Sequence, residues 1–207
     1  MARPNLTDGQ RASRRERIRV EAMGLYKENG IESVSIRDVA HRVGVSPASI
    51  YSFFKSRQAL IEALWLDPIL VLLAEMDRLA QATPDPVERI GGLLDLYVEF
   101  ALSNPEIYRG ALLHVRSGKQ VPPTPRPLDQ LGFYRLLRQA IADGQAKQCF
   151  RSGDPTMLAQ TLWASVHGAI ALPVHMEAWQ LADQHQLLAQ TREILMAGIM
   201  LQTPGRA

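Results

Sequence analysis

Five arginines, Arg11, Arg14, Arg15, Arg17 and Arg19, fall within nine residues near the start of the chain. Guanidinium groups at that density suit a polyanion, because each stays charged and can fork two N–H donors onto phosphate oxygens. The alternative is a solvated helix face, and charge alone does not separate DNA from RNA or anionic lipid. The wider charge distribution points the same way. Residues 1–57 carry 11 Lys and Arg against 6 Asp and Glu, whereas residues 58–207 carry 12 against 15, within a net charge of +2. A basic head on a mildly acidic body implies that one end meets the polyanion.

Other reactive side chains are sparse. The histidines His41, His114, His167, His175 and His185 are scattered, and no pair has strong metal-ligand spacing. There is no Gly-x-Ser-x-Gly elbow, no His-Glu-x-x-His helix and no Gly-rich phosphate loop, so neither catalysis, a metal nor a cofactor is expected. The lone Cys149 excludes an intrachain disulfide and a multi-cysteine zinc site, which suits a reducing compartment. No run of 18 apolar residues and no signal peptide is found in the 207 residues, so a cytoplasmic protein without a membrane partner is expected.

The elements that must carry these groups read as helices throughout, because period-2 alternation is absent. Thr7 and Asp8 are candidate caps for a helix over about 10–29, with Ile18, Ala22 and Leu25 on its apolar stripe and Gly30 at its end. Ser35 caps a short helix reaching about Arg42 and stopping at Gly44. Ser46-Pro47 then opens a third, to Phe53 or Phe54. Further helices are expected over about 57–81 (kinked at Pro68), 86–103, 105–117, 128–146, 155–172 and 182–202. The composition, 46% hydrophobic and 21% charged, is that of a globular chain.

The second and third helices, joined by a tight turn at Gly44, form a helix-turn-helix. Val39, Val45 and Ile50 would make its small core, with Ala40 at the crossing. Ala48, Ser49, Tyr51 and Ser52 then face outward, and Pro47, Ala48 and Ser49 are small enough for close approach to a major groove. Tyr51 and Lys55 would reach phosphates.

The segment from Ser35 through Ser46-Pro47-Ala48-Ser49-Ile50-Tyr51 to Phe53-Phe54, followed by Lys55-Ser56-Arg57, resembles the DNA-binding signature of the TetR family of bacterial transcriptional regulators. The likeness runs from about Arg11 to Leu60. Phe53 stands where the family often has His or Tyr, Arg57 where Lys is common, and Ala48 where a glycine is common. The expected DNA-binding set is Ser35, Arg37, Ser46, Pro47, Ala48, Ser49, Tyr51, Ser52 and Lys55. The resemblance implies an all-α protein of about nine helices. It further implies a DNA-binding domain over 1–57 and a ligand-binding and dimerisation domain over 58–207. Such a protein would bind a pseudo-palindromic double-stranded operator as a homodimer, with a small-molecule effector that releases it.

Within residues 58–207, Trp163 and His167 lie i, i+4 in a Trp-x-x-x-His-Gly pattern that resembles one TetR subgroup. They are either satisfied core residues or polar handles of an apolar pocket, to which Tyr97, Phe100, His114 and Tyr134 are further candidates, with Phe133 beside them. Leu158, Thr161, Leu162 and Ser165, with Leu187, Leu188, Thr191, Ile194, Leu195 and Gly198, are the expected dimer face. Burial within the monomer is the alternative for any of them.

Overall fold

The computed structural model describes residues 6–113, 127–176 and 178–201. Among them are nine α-helices and no strand: α1 (Asp8–Asn29), α2 (Ile36–Val43), α3 (Pro47–Tyr51), α4 (Arg57–Ala82), α5 (Pro86–Ser103), α6 (Pro105–Tyr108), α7 (Gly132–Ala146), α8 (Pro155–His175) and α9 (Gln184–Ile199). The chain divides into two compact units, Met1–Ile69 with Arg109–Leu112, and Leu70–Tyr108 with Leu113–Ala207. The expected domain boundary after residue 57 falls at the start of α4, whereas the compact units part within that helix, between Ile69 and Leu70.

In the first unit, local chemistry sets each helix end. Thr7 and Gln10 form a reciprocal capping box that starts α1. The Ser35 and Ser46 hydroxyls accept from the backbone N–H three residues on, opening α2 and α3. Gly44 closes α2 in the left-handed conformation, φ 75°, where a side chain would be strained. Ile18, Ala22 and Met23 of α1, Val39, Ala40 and Val43 of α2, Ile50 of α3 and Leu60 and Leu64 of α4 are all buried. Val45 and Leu25 are only partly so. Arg57 ties the start of α4 to the turn after α1, donating to the Val34 and Ile31 carbonyls at 2.8 Å each. Trp65 meets the Tyr26 ring edge-on at 4.9 Å, and a Cβ at Gly110 would lie 2.7 Å from Trp65. The glycine thus lets that short segment close on α4.

The second unit is built on α5, α7, α8 and α9. One core joins Leu93, Leu94 and Tyr97 of α5 to Leu137 and Ile141 of α7, Leu162 and Val166 of α8, and Leu188 and Ile199 of α9. α8 is long and apolar enough to cross a membrane by composition, but its Ala159, Leu162, Val166 and Ile170 are spent in this core. Arg89 joins α5 to α7 through Asp143, at 2.6 Å. Burial opposes the Asp143 carboxylate, but hydrogen bonds from Gln139 and Arg89 and the Arg89 and Lys147 charges outweigh it and hold its pKa below the usual value.

Four helices depart from the sequence expectation. Helix α8 continues through Pro173 to His175 instead of stopping at Leu172. A proline this close to a C-terminus removes one hydrogen bond, and Met176 N–H still reaches the Leu172 carbonyl at 3.0 Å. The expected 128–146 helix is a 3-10 turn over Leu128–Gln130, an extended Leu131, and then α7. Helix α9 ends at Ile199 because the chain turns extended at Met200 and pairs with Phe150. There Leu201 N–H donates to the Cys149 carbonyl and Arg151 N–H to the Ile199 carbonyl. The expected 105–117 helix is α6 followed by a π-helical turn, Arg109–Leu113, beyond which lie residues outside the described set.

Candidate nucleic-acid interface and aromatic cluster

The arginine cluster is mostly spent inside the first unit. Arg11 donates to the Ser52 carbonyl at 3.1 Å, Arg15 to the Phe53 carbonyl at 3.3 Å and Arg17 to the Val43 carbonyl at 3.0 Å. These carbonyls lie at or just past the C-terminal ends of α3 and α2, where oxygens lack helical partners and the helix dipole favours cations. Arg15 also pairs with Asp67 at 2.9 Å and lies 4.4 Å over the Phe54 ring, while Arg11 lies 5.5 Å from the centre of Phe53. Arg19 is held by Glu16, whose carboxyl that hydrogen bond keeps below its ordinary pKa against the opposing cost of burial. Three of the five, Arg11, Arg15 and Arg17, therefore brace the helix-turn-helix, and Arg19 is paired within α1.

Arg14 is the exception. It is exposed, with no hydrogen bond or ion pair among the described residues. It lines a cleft of about 480 Å³ with His41, Gly44, Val45, Ser46 and Ser49, at the start of α3. The sequence reading left Arg14 out of the DNA-binding set, because position along the chain does not say which arginine of five stays unpaired.

Among the expected DNA-binding residues, Pro47, Ala48, Ser52 and Lys55 are exposed, Arg37 likewise, and Tyr51 keeps 53% of its surface. Arg37 and Lys55 have no ion pair among the described residues. Ser35 donates to the Asp38 carboxylate as well as capping α2. Ser46 and Ser49 hydroxyls lie 3.0 Å apart, and Ser52 donates to the Ser49 carbonyl at 2.7 Å. The first unit thus offers one exposed short helix with small residues at its start, a phenol and unpaired cations.

In the second unit the aromatic candidates divide. Tyr97, Trp163 and His167 come together, joined by Phe133 and by Tyr108, which the sequence reading missed. Trp163 Nε1 donates to the Tyr97 hydroxyl at 3.1 Å, and the Tyr97 and Tyr108 hydroxyls lie 2.9 and 2.6 Å from His167 Nδ1. Phe133 stacks on Tyr97 at 4.7 Å and meets Trp163 edge-on. Burial pushes both phenols above the ordinary tyrosine pKa, Tyr108 well above it. Burial, with the nearby charge of His175, pushes the His167 imidazole down, so it is neutral at pH 7. Tyr134 is elsewhere, buried with its hydroxyl on the Thr156 carbonyl at 3.1 Å. Phe100 is partly buried against the core. His114 lies outside the described residues. Nothing in the primary structure marks Tyr108: α6 follows the break at Pro105, and only tertiary packing brings it to α8.

The expected dimer residues also divide. Leu162 and Leu188 are buried within the protomer, at 1% and 7% exposure, and are unavailable to a partner. Thr161 and Ile194 are exposed, with Leu158, Ser165, Leu187, Thr191 and Leu195 intermediate. Gly198 and Gly168 are exposed, and a Cβ at either would meet nothing within 4 Å.

Comparison with known proteins joins these two units. Residues 18–64 match the family described as bacterial regulatory proteins, tetR family, and residues 90–193 match the tetracyclin repressor-like C-terminal domain. The HTH-type transcriptional repressor KstR2 of Mycolicibacterium smegmatis is 28% identical over 87 residues, 42% of each protein. The nucleoid occlusion factor SlmA of Vibrio vulnificus is 30% identical over 106 residues, 50% of this chain and 54% of that one. The chain thus spans about half or less of the length of these curated relatives. Among solved structures, a putative transcriptional regulator from Saccharomonospora viridis in complex with choline has TM-score 0.71 and 21% identity, covering 92% of this chain and 100% of that one. The regulator FadR from Bacillus subtilis in complex with stearoyl-CoA has TM-score 0.69 and 17% identity, covering 89% and 98%. These structural likenesses show the shared fold.

Proposed function

The chain belongs to the TetR family of DNA-binding transcriptional regulators, and from that premise we propose that it is a repressor that binds a pseudo-palindromic operator as a homodimer and leaves it when a small, largely apolar molecule binds. The observation that carries the DNA reading is the braced helix-turn-helix. Three arginines, Arg11, Arg15 and Arg17, hold α2 and α3 on α1, while Arg14, Arg37, Lys55 and Tyr51 remain available. Arg37, Tyr51 and Lys55 contact phosphates and fix register. Pro47, Ala48 and Ser49 approach the base edges, with Ser35, Ser46 and Ser52 supporting the helix ends. Residues 1–57 supply this activity, and residues 58–207 supply effector binding and dimerisation. Such a regulator acts where the chromosome is, in the bacterial cytoplasm.

Two glycines support the homodimer. Glycine inside a helix costs roughly 0.5–1 kcal/mol relative to alanine. Gly168 and Gly198 are mid-helix or near a helix end, and no neighbour within the protomer needs the room. A second copy brought close on α8 and α9 would use it, with Leu158, Thr161, Ser165, Leu187, Thr191, Ile194 and Leu195 around it. Structural neighbours in complex with stearoyl-CoA or choline support a small effector held in the second unit, through Tyr97, Trp163 and His167.

The test is selection of genomic DNA fragments by the purified protein at near-physiological salt. A palindromic site with half-sites about one helical turn apart is expected. Binding with no sequence preference, lost as salt rises, would leave a merely basic surface and overturn the operator reading.

A further inference from the structure

The cleft of about 480 Å³ at the start of α3 is lined by two basic side chains from different helices, Arg14 of α1 and His41 of α2. Both are exposed, and neither side chain has a hydrogen bond or ion pair among the described residues. The acids near them are engaged elsewhere. Asp38, three residues before His41, takes the Ser35 hydroxyl. Glu28 pairs with Arg42, on which the Glu21 charge also acts. Arg17 of α1 donates to the Val43 carbonyl. Arg37 stands one turn before His41 on the same face of α2, at i, i+4, and has no ion pair among the described residues. α3 brings no charge to the cleft, only the Ser46 and Ser49 hydroxyls, 3.0 Å apart. One of that pair donates to the other, so one hydroxyl proton is left for a ligand. The cleft therefore offers donors and positive charge, with no free carboxylate to neutralise them.

We propose that His41 and Arg14 clamp a DNA backbone phosphate in this cleft, and that His41 does so as the imidazolium. This rests on the DNA-binding reading of the first unit and adds to it a contact outside the expected DNA-binding set. His41 stands on α2, the helix that crosses the backbone in this motif, and not on α3, which enters the groove. It lies in the last turn of α2, where the helix dipole favours a cation. An imidazolium with two N–H donors and a guanidinium fork make a set without an acceptor, which suits phosphate oxygens. Base edges in the major groove present donors as well as acceptors. A water occupies about 30 Å³, so the cleft has room for a phosphodiester group and its remaining hydration. Tyr51 and Lys55 stand at and beyond the far end of α3. The recognition helix is thus gripped by phosphate contacts at both ends. A neutral imidazole has one N–H and no charge to offer, so binding takes up a proton at His41 and tightens as pH falls through the range in which histidine titrates.

The test uses the full chain and a fluorescently labelled duplex of mixed sequence, because a phosphate contact needs no particular bases. Anisotropy titrations at fixed low salt read the affinity. From pH 8 to pH 6 the parent is expected to gain about fivefold per protomer, as for a phosphate that favours imidazolium over imidazole about tenfold. His41→Gln should lose that gain and bind at pH 6 about as weakly as the parent does at pH 8. His41→Arg carries a fixed charge, so it should lose the pH dependence but keep the affinity the parent has at pH 6. A role in packing alone would not produce that rescue. The parent's salt slope should be steeper by about one per protomer at pH 6 than at pH 8, which decides the matter even where a variant fails to fold. A parent without the gain, a gain retained in His41→Gln, or His41→Arg as weak as His41→Gln would each overturn the clamp and leave DNA binding standing. Failure of the parent to bind the duplex at any pH would sink the DNA-binding reading and the clamp together.

Discussion

Arg14 and its four neighbours differ in what they touch, and that difference is measurable. Arg14→Ala removes a cation with no protein partner among the described residues. It should weaken binding to all DNA sequences and lower the salt slope by about one unit, with unfolding unchanged. Arg17→Ala instead strips the Val43 carbonyl of its donor and should cost about 1 kcal/mol or more of stability, read by denaturant unfolding. Equal stability losses in both variants would refute the division. A second residue-scale effect follows from His167. Its folded-state pKa is depressed by burial, so the unfolded chain binds the extra proton first as pH falls. Stability present above the ordinary histidine value of about 6.5 is then lost as pH drops through the folded pKa. Unfolding midpoints measured between pH 8 and 5 should fall on the acid side, and His167→Gln should flatten that decline. Much of this scale was legible in the sequence: the caps Thr7, Ser35 and Ser46, the turn glycine Gly44, and the pairing of Trp163 with His167. What was not legible depends on partners far along the chain, as with Tyr108 on His167 or Arg57 on the Val34 carbonyl.

Helix boundaries follow local rules until a tertiary partner overrides them. Pro173 marks a stop by sequence, yet α8 runs past it because the single lost hydrogen bond falls in the last turn. Apolar periodicity carries α9 to about 202, yet Met200 leaves the helix to pair with Phe150, a contact visible only once α7 and α9 are in place. The same junction gives an element-scale prediction. A Cβ at Gly144 would lie 2.0 Å from the Phe150 ring, which is itself 2% exposed. Gly144→Ala must displace that ring and with it the bridge to α9. Overpacking of this kind costs about 1–3 kcal/mol, against a gain of up to about 1 kcal/mol in helix propensity. The expected outcome is net destabilisation, with faster amide exchange at Arg151 and Leu201, whose N–H groups make the bridging bonds. A variant as stable as the parent, with those amides still protected, would show that the ring has somewhere else to go.

Whole-molecule behaviour turns on whether α8 and α9 meet a second copy, and Gly168 separates the two outcomes. Within one protomer the position is open: nothing lies within 4 Å of an added Cβ. Gly168→Ala should therefore raise protomer stability by about 0.5–1 kcal/mol if no partner is near. If a second α8 packs there, the added methyl separates the helices and lowers dimer affinity, and Gly168→Trp abolishes the dimer while leaving helix content intact. Sedimentation across a concentration series reads this directly: the parent should sediment as a dimer and the tryptophan variant as a monomer. A tryptophan variant that remains dimeric would move the interface off this face. The consequence reaches DNA. A palindromic operator takes two recognition helices only when the two-fold axes coincide, so the monomeric variant should keep its salt-dependent, non-specific affinity and lose sequence preference. An effector then acts on the same quantity from the other side. It can release the operator only by binding more tightly to a state whose helix spacing no longer fits successive major grooves. In the variant that no longer dimerises, ligand should bind the second unit without changing DNA affinity. Ligand-dependent release by the monomer would instead mean that each protomer switches on its own.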